Sequence, residues 1–172
     1  MAKNPFVDGI TNLAIPDSLN GVCFADHRVK RSLFGIEAAV LGNADLSGMT
    51  VLRNAYLTGM KVSRNANLRG MNVSKDLYLG MKASEIFLNG MDISRNAYLD
   101  GMNVDILYLS RDTPCNVKGC LDLSNTVILS IITMTCEEGV TQEQLRVGSY
   151  KINNETRIPR ELRMLLSQYR RV

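Results

Sequence analysis

At 172 residues, with 45% apolar and 22% charged residues, the chain has the size and composition of one soluble globular domain with a real core. Its formal net charge of +3 is too small to predict nucleic-acid binding, and its most apolar run, Val127–Met134 (VILSIITM), is far shorter than the ~20 residues of a membrane span. The four cysteines, Cys23, Cys115, Cys120 and Cys136, form no tight even framework and no zinc-knuckle spacing. They read as reduced thiols in a cytoplasmic protein.

In chain order, residues 1–20 come first. They hold Pro5, Pro16 and DGITN, lack an apolar core that could serve as a secretory signal, and read as an irregular N-terminal arm or cap. Weak apolar pairs separated by one residue then appear at Val22/Phe24, Phe34/Ile36 and Ala39/Leu41. Among them lies the single histidine, His27, beside Asp26 and near Cys23. Nucleophilic catalysis needs a base within hydrogen-bond reach and a third orienting group, and a lone histidine beside the basic run RVKR reads instead as a surface residue.

From residue 44 the rhythm becomes regular. Gly-Met recurs at Gly48-Met49, Gly59-Met60, Gly70-Met71, Gly80-Met81, Gly90-Met91 and Gly101-Met102, at spacings of 11, 11, 10, 10 and 11. Inside each unit the apolar residues fall in pairs such as Ala44/Leu46, Met49/Val51, Ala55/Leu57 and Met60/Val62, continuing to Leu107/Leu109. Each pair is an in-out-in tripeptide, which is strand geometry, and a helical period cannot hold this rhythm over such a length. Short strands joined by constant corners predict an all-β solenoid in which no coil buries its apolar side alone. Four pairs per coil would return equivalent positions every 20–22 residues. Tyr56, Tyr78 and Tyr98 then share one face, and Lys61, Lys82 and Asn103 the next. Asp45, Asn67, Phe87 and Tyr108 fall on a third, and Thr50, Asn72 and Asp92 on the fourth. A three-sided coil would scatter the tyrosines.

The stretches ADLSG (Ala44–Gly48) and ANLRG (Ala66–Gly70) resemble the A-(D/N)-L-x-x repeat of the pentapeptide-repeat proteins. The segment GVTQEQLRVGSYKINNETRIPRELR (Gly139–Arg163) is similar to the one that often follows such repeats. The resemblance spans roughly residues 20–163 and implies a right-handed, four-sided parallel β-helix. The departures are methionine in alternate repeats, three-residue corners such as Leu52-Arg53-Asn54 and Ser63-Arg64-Asn65, and a one-residue corner at Gly80, where a kink is expected. The glycines are expected at corners that need a positive φ or a close backbone approach.

Further on, RDTP (Arg111–Pro114) reads as a loop inserted at a corner. The pairs then resume at Cys115/Val117, Leu121/Leu123 and Thr126/Ile128. The solenoid is thus expected over 21–133 and a C-terminal helical cap over 134–172. Thr141 and Gln144 have capping-box spacing for a short helix. Pro159 suits the first turn of a second, with Leu162, Leu165, Leu166 and Tyr169 on its apolar face and Arg160, Arg163, Arg170 and Arg171 on the outside.

No phosphate loop, dinucleotide fingerprint or HExxH occurs, and the carboxylates are scattered, so no catalytic residue, metal or cofactor is expected. What remains is a rigid rod with patterned faces, which reads as a non-catalytic scaffold for a protein partner. The tyrosine ladder Tyr56/Tyr78/Tyr98 is the first candidate surface, since tyrosine is enriched in interface cores, although stacked rings also stabilise one another. Phe87 with Tyr108 is a second, and either patch is a candidate homodimer surface. The basic C-terminal helix, Arg160, Arg163 and Arg170, is the third: a solvated cap, or a contact for an acidic partner or a membrane surface. The resemblance implies two activities, since some pentapeptide-repeat proteins are effectors delivered into host cells and others mimic DNA and bind type II topoisomerases. Mimicry needs a strongly negative rod, whereas residues 40–130 carry nine Lys/Arg against eight Asp/Glu, which speaks against it.

Overall fold

The computed structural model describes residues 13–14, 21–110, 113–134 and 145–172. The chain winds as a parallel β-solenoid of stacked coils closed by one short C-terminal helix. One coil is the run Ala44–Asp45, Thr50–Val51, Ala55–Tyr56 and Lys61–Val62, after which Asn65–Asn67 returns to lie on Ala44–Asp45 with Ala66 opposite Ala44. The coil is therefore four-sided. The same registers assemble the four faces expected from the spacing: Tyr56↔Tyr78↔Tyr98, Lys61↔Lys82↔Asn103, Asp45↔Asn67↔Phe87↔Tyr108 and Thr50↔Asn72↔Asp92.

Alternation within each two-residue strand explains the core. Ala44, Leu46, Met49, Val51, Ala55, Leu57, Met60 and Val62 point inward and are at most 4% exposed. All six Gly-Met methionines are buried at 0–1% exposure. Alanine and methionine alternate on successive faces of the coil, so flexible thioethers and small side chains together fill a narrow bore, and each methionine burial contributes about 1.5–3 kcal/mol. Two buried threonines near the C-terminal end, Thr126 and Thr156, are satisfied. Thr126 Oγ1 donates to Leu99 O at 2.6 Å, and Thr156 Oγ1 donates to Leu123 O at 3.0 Å.

The Gly-Met corners come in two kinds. Corners 46–49, 57–60, 68–71, 88–91 and 99–102 are four-residue turns in which the methionine N–H donates to the leucine carbonyl three residues back, at 2.9–3.5 Å. Their third residue is left-handed, as Gly59 (φ 73) shows, and a glycine there carries no steric cost. On the same edge one coil earlier, Glu37 holds φ 56 without that freedom. The Gly80 corner is different. Met81 N–H donates to Leu79 O at 2.9 Å, one residue closer, and Gly80 is glycine because a Cβ would strike the Asp100 carbonyl of the next coil. The irregularity expected at Gly80 is thus a single narrowed corner.

Two features differ from the sequence reading. The early pairs Phe34/Ile36 and Ala39/Leu41 are in the wrong phase. Leu33, Ala38 and Val40 point inward at 0–1% exposure, while Phe34 (37%), Ile36 (54%) and Leu41 (64%) point out. This stretch is apolar in both phases, and stacking decides: Leu33 lies on Ala55 and Phe34 on Tyr56. The second difference is in the later coils. From Lys82–Phe87 through Asn103–Ser110, Cys115–Asp122 and Val127–Met134, corners straighten and two short strands fuse into one long bent strand.

At the C-terminal end, Leu145–Lys151 adds a further rung on Cys115–Asp122, and Arg170–Arg171 lies on Ser149 and Tyr150. The helix runs Arg160–Leu166 with Pro159 immediately before it. Leu162 and Leu166 are buried, Leu165 and Tyr169 are half-buried, and the Tyr169 hydroxyl donates to Leu145 O. The helix expected from Thr141 and Gln144 lies outside the described residues, as do Arg111, Asp112 and Cys136.

Candidate interaction surface

A residue two places before an outward tyrosine sits on the same side of the chain, at the corner that feeds the strand. This local rule builds the tyrosine face. Parallel register then brings each ring onto its equivalent in the next coil. Tyr56 and Tyr78 stack at 4.9 Å and Tyr78 and Tyr98 at 4.8 Å, with planes 13° and 14° apart. Phe34, which sequence reasoning placed inward, extends the row by stacking on Tyr56 at 5.3 Å.

Beside the rings runs a polar column that sequence reasoning also missed. Asn54 Oδ1 accepts from Asp76 N–H at 3.3 Å, Asp76 Oδ1 from Asn96 N–H at 3.1 Å, and Asn96 Oδ1 from Cys120 N–H at 3.0 Å. The same asparagines reach the ladder: Asn54 Nδ2 donates to Tyr56 Oη at 2.7 Å and Asn96 Nδ2 to Tyr98 Oη at 3.3 Å. The recurring RNAY of Arg53–Tyr56 and Arg95–Tyr98 was the available signal. In the middle coil Asp76 replaces asparagine. Partial burial raises the Tyr78 hydroxyl pKa first, and Asp76 and the neighbouring tyrosines add to it. Tyr78 therefore stays a protonated donor. Above Tyr98 the tyrosine row ends in charge, since Asp122 lies in register with Tyr98 and accepts from Lys151 Nζ at 3.0 Å.

Stacking covers the ring faces with one another. What points outward is a row of hydroxyl-bearing edges at coil spacing, suited to acceptors on a rigid partner.

The other candidates stand apart. Phe87 and Tyr108 stack at 4.3 Å, with the Arg69 guanidinium 4.5 Å over Phe87, on the side opposite the tyrosines because two corners separate the faces. Arg160, Arg163 and Arg170 are exposed on the end cap. On the lysine face an open groove of about 500 Å³ runs between Lys61 and Lys82 and past Ser63, Ser84 and Asp105. His27 packs edge-on against Phe24 with centroids 5.7 Å apart, and its Nδ1 donates to Ala25 O at 2.9 Å, so local contacts account for the ring.

The fold and these ladders define a parallel β-solenoid repeat protein. Comparison of the chain with family models, curated proteins and solved structures finds no match. No helix among the described residues is long and apolar enough to cross a membrane.

Proposed function

We propose that this chain is a non-catalytic interaction scaffold of the pentapeptide-repeat type that presents rigid solenoid faces to a protein partner in the cytoplasm, of the bacterium or of a host cell. The observation that carries the reading is the row Phe34–Tyr56–Tyr78–Tyr98, ordered by stacking and fixed by its asparagine column. Ordering the side chains in the free protein lowers the entropy lost on association. A partner therefore meets a surface that needs no rearrangement. The near-neutral solenoid keeps a DNA-mimicking role in second place.

The test is affinity capture from bacterial and eukaryotic lysates with three baits: wild type, Tyr56→Ala/Tyr78→Ala/Tyr98→Ala, and the corresponding triple phenylalanine variant. A partner held by wild type and lost by both variants, each folded by circular dichroism, makes the hydroxyl row the binding edge. Retention by the folded alanine variant makes the ladder purely structural and overturns this assignment of the face.

A further inference from the structure

Charge is not spread evenly along this chain. Residues 145–172 contain Arg146, Lys151, Arg157, Arg160, Arg163, Arg170 and Arg171 against Glu155 and Glu161, a surplus of five. The whole chain carries only +3, so the preceding 144 residues stand at −2. All seven basic side chains are exposed, which gives the described residues of that end a basic surface.

Within that end lies a small apolar pit of about 190 Å³, lined by Tyr150, Ile152, Ile158, Leu166, Arg163 and Arg171. Its position follows from the topology. Tyr150 comes from the last long rung, Arg171 pairs with Tyr150 from the terminal strand, and Arg163 and Leu166 come from the helix. Arg163 Nη2 donates to Thr156 O at 3.4 Å, which tethers the guanidinium while leaving most of its donors free. Among the described residues neither Arg163 nor Arg171 is held by a carboxylate. The pit is well below the ~300 Å³ at the lower end of small-molecule sites, so it is the size of one side chain.

We propose that the C-terminal cap docks an acidic segment of the protein partner, taking one apolar side chain of that segment into the pit while flanking carboxylates pair with Arg163 and Arg171. The inference rests on the scaffold reading and names the chemistry of the partner. Guanidinium forks match carboxylates bidentately. An apolar pit between two arginines suits an acidic-apolar-acidic sequence. A nucleic acid would use a basic stripe with several aromatic platforms, whereas here Glu155 and Glu161 interrupt the basic residues and Tyr150 is the one aromatic beside Ile152, Ile158 and Leu166 in the pit.

The experiment is a fluorescence-anisotropy titration of the full chain with labelled acetyl-Asp-Glu-Leu-Glu-Asp-amide. The expected result is saturable, salt-sensitive binding. It weakens about tenfold or more in Arg163→Gln/Arg171→Gln and when the peptide leucine becomes serine. It changes less than about twofold in Lys61→Gln/Lys82→Gln, which removes the same charge from the lysine face. The serine peptide needs no protein variant, so the test survives a cap variant that fails to fold. No saturation, equal loss in both charge variants, or indifference to the peptide leucine overturns the proposal. So does stronger, cap-dependent binding of oligothymidylate or of phosphatidylcholine vesicles carrying phosphatidylserine. Peptide failure with a partner still captured through the tyrosine row removes the pit and leaves the scaffold reading standing. Loss of capture with peptide binding intact does the reverse.

Discussion

Replacing Tyr78 by alanine removes the centre of the aromatic row. Tyr78 has a ring on each side, at 4.9 and 4.8 Å, so one substitution deletes two stacking contacts. Each aromatic pair contributes about 0.5–1.5 kcal/mol beyond area burial, so Tyr78→Ala is expected to destabilise by about 1–3 kcal/mol. Tyr78→Phe keeps both stacks and is expected to stay within about 0.5 kcal/mol of wild type. Urea unfolding followed by circular dichroism measures both, with the slope checked because long repeat arrays can lose two-state behaviour. Double-mutant cycles sharpen the reasoning. Tyr56/Tyr78 and Tyr78/Tyr98 should couple, whereas Tyr56 and Tyr98, with Tyr78 between them, should be additive. A loss below about 0.3 kcal/mol for Tyr78→Ala, or coupling between Tyr56 and Tyr98 as large as between neighbours, refutes the ladder as a chain of nearest-neighbour contacts.

At the corners, Gly80→Ala should cost about 2–3 kcal/mol although its φ is ordinary, because the new Cβ meets the backbone oxygen of Asp100, which cannot swing away; thermal melts check this. Glu37→Asn should raise stability by about 0.5–1 kcal/mol in the same melts, since asparagine tolerates the left-handed conformation that Glu37 holds at φ 56. Burial pushes the Cys115 thiol up to about 12, with Asp92 adding to it, so in native protein Cys23 should alkylate at pH 8 while Cys115 does not, as read by peptide mass spectrometry. A thiol pKa raised on folding favours the folded state below the unfolded value near 9, so stability should decline as pH rises from about 9 towards 12, less so in Cys115→Ala. Asp122 is depressed in the fold: partial burial opposes ionisation, but bonds from Ser124 and Lys151 outweigh it. The melting difference between wild type and Asp122→Asn should therefore shrink as pH falls through the carboxylate range.

The four-sided solenoid was legible because two constraints coincide in the sequence. The in-out-in pairs set strand phase, and the 10–11-residue Gly-Met period sets half a coil, so Tyr56, Tyr78 and Tyr98 had to meet wherever the period was kept. Where phase is ambiguous, the sequence does not choose. Leu33-Phe34-Gly35-Ile36 is apolar in both phases, and only its stacking on Ala55–Tyr56 turns Phe34 outward. The asparagine column was written in the sequence as RNAY, but its bonds join residues 20–24 apart and exist only when the coils are in register. The C-terminal end was least legible. Its apolar helix stripe predicted Leu162 and Leu166 in the core, yet nothing local foretold that Leu145–Lys151 would add a rung.

By itself, then, the sequence determined the period, the inward residues of the regular coils and the composition of each face, because these depend on neighbours along the chain. Only the tertiary structure decided the phase of the first coils, the fusion of late strands and the meeting of Tyr150, Arg163 and Arg171 around one pit. Those outcomes depend on contacts between segments that no local pattern couples.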